Sequence, residues 1–324
     1  MSFNEILTRC LLPLGVIAAS VFGGYFARRI RLVREELARP ILTVVVTVGY
    51  PLIGFLAIWK IQLQPQHIWL PTLGMAQVTL LTLIGLAVGR WLFVNRGDRG
   101  LFGVAMALGN CGITMAGFVI YLIAGEEGLG RSQIYQLFWW FAVVFLAYTT
   151  ARHYAASAPK VSFGRLVLGS LLDWRAIGLP AGIAAVIVSA SGIERPAFFD
   201  DYHLVSILIY AQIVTAYFAI GLRLHLADVW QMRRMIGAVV VLRHGVGLLL
   251  GLGLLGLTLL TPMPMTGLDR VVYLIQSSIP VAVTAAAVAN MFGLHPRKAS
   301  MLFVVSSMLY LLIGLPLIFV LFGE

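Results

Sequence analysis

The chain has 324 residues, of which 60% are hydrophobic and 11% charged, with 23 Lys and Arg against 13 Asp and Glu. Soluble domains carry roughly 25% charged residues, so this composition excludes an ordinary globular enzyme and points to a membrane-embedded chain. The net charge of +10 does not indicate nucleic acid, because the basic residues are spread through short loops instead of gathered on one face.

About 20 apolar residues cross a bilayer as a helix. On that measure the sequence predicts ten spans, at 8–27, 38–59, 68–93, 100–123, 133–151, 172–192, 202–222, 235–260, 268–292 and 299–322. The first has no basic segment before it and ends in Phe26-Ala27-Arg28-Arg29, so it is expected to be retained and not cleaved as a signal peptide. Basic residues alternate between the two sides of such a chain. The connections holding Arg31, Arg96, Lys160, Arg234 and Arg297 collect 17 of them, and the other side, with Arg9, Lys60, Arg131, Arg195 and Arg270, collects 5. By the positive-inside rule the richer side is cytoplasmic and both termini are external.

Five spans per half require the second half to be inverted. Leu12-Pro13-Leu14-Gly15-Val16-Ile17-Ala18 is echoed by Leu179-Pro180-Ala181-Gly182-Ile183-Ala184-Ala185, each opening the first span of its half. The expected organisation is a first five-helix repeat over 1–151, a cytoplasmic linker over 152–171 and a second, inverted repeat over 172–324.

Spans four and nine are interrupted. Gly109-Asn110-Cys111-Gly112-Ile113-Thr114-Met115-Ala116-Gly117 and Gln276-Ser277-Ser278-Ile279-Pro280 break helix inside apolar surroundings. Broken backbone at membrane depth persists only where protein or a water-filled cavity surrounds it, and a matched pair of breaks marks a transporter's binding site. Each cluster begins about ten residues into its span, roughly 15 Å deep, so both are expected near the midplane. Two helix N-termini meeting there, with free amides, would favour an anion. The candidate substrate contacts are Asn110, Thr114, Ser277, Ser278, Pro280 and Arg243, and the candidate break points are Gly109, Gly112 and Gly117. Ser278 is expected to cap the following helix, with Pro280 in its first turn.

Arg243-His244 is the only basic pair inside a span. Arg243 either meets a substrate carboxylate or snorkels to the headgroups, and the second reading is slightly favoured. No Asp or Glu lies mid-span, which argues against carboxylate-based antiport. Gln77, Thr79, Thr82, Tyr210, Gln212 and Thr215 are readable as cavity-facing groups or as interhelical hydrogen bonds. Trp139 and Trp140 read as interface anchors, and 126–131 as an external turn. Cys10 and Cys111 lie in or beside apolar segments and form no disulfide framework, and the six histidines never fall at zinc-ligand spacing.

These motifs resemble those of the auxin efflux carrier family of membrane transporters over nearly the whole length. The opening Leu12-Pro13-Leu14 followed by an apolar run to Gly24-Tyr25, Gly109-Asn110-Cys111-Gly112, Ser278-Ile279-Pro280 and Ala289-Asn290-Met291-Phe292-Gly293 carry the resemblance. Gly117 stands where that family usually has a proline. The resemblance implies a ten-helix inverted repeat with a scaffold domain and a crossover-bearing core, and transport of mono- or dicarboxylate-like anions. The expectation is therefore an all-α integral membrane protein, ten transmembrane helices in a 5+5 inverted repeat, of a bacterial inner membrane. It is expected to be a secondary transporter of a small organic anion without cofactor, metal or nucleic-acid partner, with a homodimer left open. A bile-acid-type sodium symporter and a non-transporting sensor are the alternatives. An enzyme is not expected, since neither Gly-x-Ser-x-Gly nor His-Glu-x-x-His occurs.

Overall fold

The computed structural model describes residues 3–155, 162–171, 174–224 and 230–322, and helix is the only regular structure among them. Residues 156–161 of the expected linker lie outside the described residues. Six stretches among the described residues are long and apolar enough to cross a bilayer, so the chain is built as a helical integral membrane protein. In chain order the helices are α1 (Phe3–Arg29), α2 (Glu35–Trp59), α3 (Pro65–Leu92), α4 (Arg96–Ala107), α5 (Ala116–Tyr154), α6 (Phe163–Leu171) and α7 (Gly178–Ala190). They continue with α8 (Phe198–Asp201), α9 (Leu204–Leu222), α10 (Trp230–Thr258), α11 (Gly267–Ser277), α12 (Thr284–Met291) and α13 (Pro296–Phe322).

Local chemistry sets several boundaries. Asn95 starts α4, its Oδ1 accepting from the Gly97 amide at 2.7 Å. Pro296 opens α13, where its missing N–H costs nothing. Within α5, Gly125 adopts φ 61° and ψ −153°, a conformation open to glycine alone, and the helix is divided there. The turn expected at 126–131 is corrected accordingly: Gly125 makes the break, and Glu126 to Arg131 are already helical. Wide π-helical turns occur at Val45–Gly49, Ala142–Tyr148, Val241–Val246 and Tyr310–Gly314.

Helices from the early and late parts of the chain interlock. α1 lies along α9, and α7 lies along the second part of α2. Glycine permits the first of these contacts from both sides. A methyl group at Gly24 would sit 2.0 Å from the Phe218 carbonyl oxygen, and one at Gly221 would sit 2.0 Å from that of Val21. One apolar core joins α2, α5, α9 and α11 through residues such as Ile53, Phe118, Ile213 and Val272. A second joins α4, α10, α12 and α13 through Phe102, Val239, Ala289 and Leu302. Large apolar side chains outside these cores, among them Leu249, Leu257, Leu312 and Val320, are exposed on helix flanks, where a bilayer would cover them.

Candidate functional site

The segments between α4 and α5 and between α11 and α12 run past each other in extended form. Gly109 and Val281 form an antiparallel bridge, with the Asn110 amide donating to the Pro280 carbonyl at 2.8 Å and the Ala282 amide to the Leu108 carbonyl at 2.8 Å. Four half-helix ends are thereby gathered at one place. Beyond the bridge, α11 packs on α5 and α12 packs on α4.

The carboxyl ends are closed by side chains from elsewhere. Arg243 is buried, at 3% exposure, and does not snorkel. Its Nη1 donates to the Ala105 and Met106 carbonyls at the end of α4, both at 2.9 Å, and its Nε to the Ile279 carbonyl at 2.8 Å. A guanidinium on terminal carbonyls complements the negative end of a helix dipole. The neighbouring His244 places Nδ1 2.5 Å from the Ser278 carbonyl oxygen. Gln77 on α3 donates through Nε2 to the Ser277 carbonyl at 2.8 Å and to that of Gly247 at 3.0 Å. Arg243 and His244 share the π-helical turn of α10, an irregularity common at functional positions.

The amino ends are finished differently. At the start of α5 the Met115 and Gly117 amides donate to the Gly112 carbonyl at 3.1 and 3.0 Å, and the Ala116 amide to that of Asn110 at 3.3 Å. At α12 the Ala285 and Ala286 amides turn back to Ala282 and Val283, both at 3.1 Å. Several of the amides expected to be free at both ends are thus taken by nearby carbonyls, while those of Phe118 and Thr284 have no carbonyl partner among the described residues. Side-chain polarity stays available as well. Asn110, 5% exposed, accepts from Thr114 Oγ1 at 3.3 Å, and its Nδ2 has no partner among the described residues. Thr114 Oγ1 also pairs with Tyr50 Oη at 2.7 Å, while Tyr217 Oη donates to the Thr114 carbonyl at 2.7 Å. Around this cluster the buried Gln133 Nε2 and both side-chain polar atoms of Gln212 lack hydrogen-bond partners. Unpaired buried amides are costly, and each calls for an explanation such as a ligand or water.

Beside the bridge lies a cavity of about 10 Å³, lined by Gln77, Cys111, Tyr135, Arg243, Gln276 and Ser277 among others. That is room for a single water. Gln276 Nε2 reaches the Cys111 carbonyl at 3.2 Å and Ser132 Oγ at 2.9 Å. The crossing point is therefore closed in this structure.

Two ionic groups sit at the end of the molecule that carries few basic residues. Arg195 Nη2 binds Glu126 and Asp200, each at 2.6 Å, and Lys60 joins Asp200 at 2.6 Å, tying α2 and α8 to α5 beside Gly125. The Lys60 hydrogen bond, and then Arg195, hold the Asp200 carboxyl below the usual carboxylate range. Asp269, fully buried at the start of α11, accepts from Arg131 at 3.1 Å and lies 3.5 Å from His67 Nε2.

The sequence-derived candidates divide accordingly. Asn110 and Thr114 come together with open hydrogen-bonding capacity. Ser277 and Ser278 turn their hydroxyls back on Leu274 at 2.7 Å and Ile275 at 3.5 Å. Ser278 does not cap the next helix and Pro280 is not in its first turn. The bridge holds 280–282 extended, so α12 starts at Thr284 without a side-chain cap. Gly109 is required by space, since a methyl group there would stand 2.1 Å from Arg243 Nη2. Gly112 and Gly117 are tighter than usual, facing Tyr50 Cε2 at 3.2 Å and the Gly112 carbonyl at 3.2 Å. Thr79, Thr82 and Thr215 bond carbonyls of their own helices, not neighbouring helices. Trp139, expected at an interface, lines the small cavity. Tyr50, Tyr217, Gln133 and Gln276 were not among the candidates, although the two glutamines stand out as amides within apolar segments. Neither models of known protein families nor curated proteins match the chain.

Proposed function

We propose that the chain is a secondary transporter of a small organic anion, of the auxin efflux carrier type, working by alternating access around the paired breaks. The observation that carries this reading is the two-bond bridge between helix breaks at corresponding places in the two halves. Transporters use such discontinuous helices to build a site inside the bilayer. Taking α4 with the first part of α5 as one span, and α11 with α12 as another, gives ten spans in two sets of five. The reciprocal packing of α1 on α9 and α7 on α2 supports an inverted repeat. So do the π-helical turns in α5 and α13, each in the span that follows a break. On this reading the basic loops face the cytoplasm, both termini are external, and the membrane is a bacterial inner membrane.

The substrate contacts assigned by this reading are Asn110 and Thr114, with Gln133 and Gln212 as further amide donors. Arg243 serves the fold of the site and sets positive charge beside it. The test is uptake of a panel of mono- and dicarboxylates by full-length protein in proteoliposomes, with and without a proton or sodium gradient. Saturable uptake that falls in Asn110→Ala is the expected result. Strict sodium dependence would favour the bile-acid-type alternative. Binding without uptake under either gradient would make the protein a sensor.

A further inference from the structure

A second, roomier cavity lies away from the crossing point, at the basic end of the molecule. It measures about 760 Å³ and is enclosed by the end of α3, the start of α4, the start of α10 and the start of α13. Pockets of roughly 300–1,000 Å³ accommodate small ligands. Its lining combines the cations Arg234, Arg297 and Lys298 and the imidazole of His295 with the apolar side chains of Phe93, Met235 and Met301. Asp98 is the only carboxylate in the lining among the described residues; it binds Lys298 at 2.6 Å and stands 3.7 Å from His295. Arg234 and Arg297 have no acidic partner among the described residues. Among the described lining residues, three cations against one carboxylate leave two positive charges with histidine neutral.

The depth of the cavity is marked independently. Trp91 and Trp230 flank it in sequence on the ends of α3 and α10, at 90% and 76% exposure. Tryptophan held so openly at the ends of membrane-length helices belongs at the headgroup level. A soluble anion would need the cations but not the apolar side chains, whereas an amphiphile uses both. Basic pockets between transmembrane helices on the basic face are suited to anionic headgroups. We infer that this cavity holds the phosphate of an anionic phospholipid, with Arg234 and Arg297 on the headgroup and Met235 and Met301 against its glycerol and upper acyl carbons. The inference requires membrane embedding only and is independent of the transport reading.

The experiment is native mass spectrometry of the purified full chain titrated with phosphatidylglycerol or phosphatidylcholine, beside the double variant Arg234→Gln/Arg297→Gln. A control, Arg29→Gln/Arg31→Gln, removes the same charge from another exposed basic segment. Phosphatidylglycerol should bind in preference to phosphatidylcholine. The double variant should lose about thirtyfold in that affinity, given roughly fivefold for each basic residue at an anionic surface. The control should keep it, and both variants should melt as the parent does. No preference between the lipids, retained binding in the double variant, or an equal loss in the control would overturn the proposal. Inorganic phosphate binding as tightly as the lipid would also overturn it, by making the ligand a soluble anion.

Discussion

At the crossing point the carboxyl ends of the half-helices and their amino ends are finished by different chemistry. The carboxyl ends of α4 and α11 receive donors from distant helices: Arg243 and His244 from α10, and Gln77 from α3. The amino ends of α5 and α12 turn several of their amides onto local carbonyls, and the side chains around α5 keep spare hydrogen-bonding capacity. A terminus whose carbonyls depend on one distant guanidinium is fixed in place. A terminus surrounded by unpaired amides can accept a ligand without giving up a bond it already makes. The carboxyl ends therefore hold the site together, and the amino end of α5 is where recognition has room to occur.

The most severe way to break this comparison is Arg243→Gln. Three buried carbonyls lose a charged donor, which at roughly 1 kcal/mol each costs about 3 kcal/mol or more. A large fall in melting temperature in detergent is expected, with ligand binding lost alongside it. Unchanged melting with abolished binding would make Arg243 a ligand contact instead. Gly109→Ala comes next. Its methyl group would meet Arg243 Nη2 at 2.1 Å and Ile279 Cδ1 at 2.8 Å, and overpacking of this kind costs about 1–3 kcal/mol. Gln77→Leu should cost about 1–2 kcal/mol, because it strips the donor from the Ser277 and Gly247 carbonyls.

Asn110→Ala sharpens the comparison from the other side. The backbone bridge survives it, and the side chain gives up only one long bond from Thr114, so the stability cost should stay under about 1 kcal/mol. Affinity for an anion should nonetheless fall about tenfold, the scale of a hydrogen bond to a charged group. Calorimetry on the purified variant measures both. The smallest effect belongs to the distant ionic group. The Asp200 carboxyl is held below its usual range, so its contribution is complete above the ordinary carboxylate pKa of about 3.9 and is lost only as pH falls through the lower folded-state value. Melting temperature of the parent relative to Asp200→Asn should therefore show a constant difference from pH 8 to pH 5, narrowing only in stronger acid.

Both breaks were legible because Gly, Asn, Ser and Pro cluster where a lipid-embedded helix tolerates them least. The chemistry that finishes each helix end was not. Arg243, about two turns inside the edge of the span expected at 235–260, reads as a side chain reaching for headgroups, and carbonyls 36, 137 and 138 positions away keep it inside. Ser278 and Pro280 have the residue types of a helix start, but pairing with Gly109 and Asn110 draws their segment out and shifts the start of α12. Asp269, next to Arg270 at a predicted span edge, has nothing local that announces burial; its guanidinium partner, Arg131, is 138 positions away. In each case a spatial neighbour remote in sequence decided the outcome. Gly125 differs, since its break is a local dihedral choice, displaced by one residue from the segment expected to turn.

The bridge also imposes an order on biosynthesis. Asn110 and Pro280, the partners in one of its two bonds, stand 170 positions apart, 110 to 280. At roughly 5–20 residues per second, a ribosome that has just made the first break needs about 10 to 30 s to reach the second. Arg243, which closes α4, is itself made only after most of that interval. Until then α4 enters the membrane with its terminal carbonyls lacking their guanidinium, a state that a quality-control protease or an insertion chaperone can recognise. Truncations ending between the two breaks should accordingly be degraded faster than full-length chain, and coexpression of the missing half should restore their lifetime.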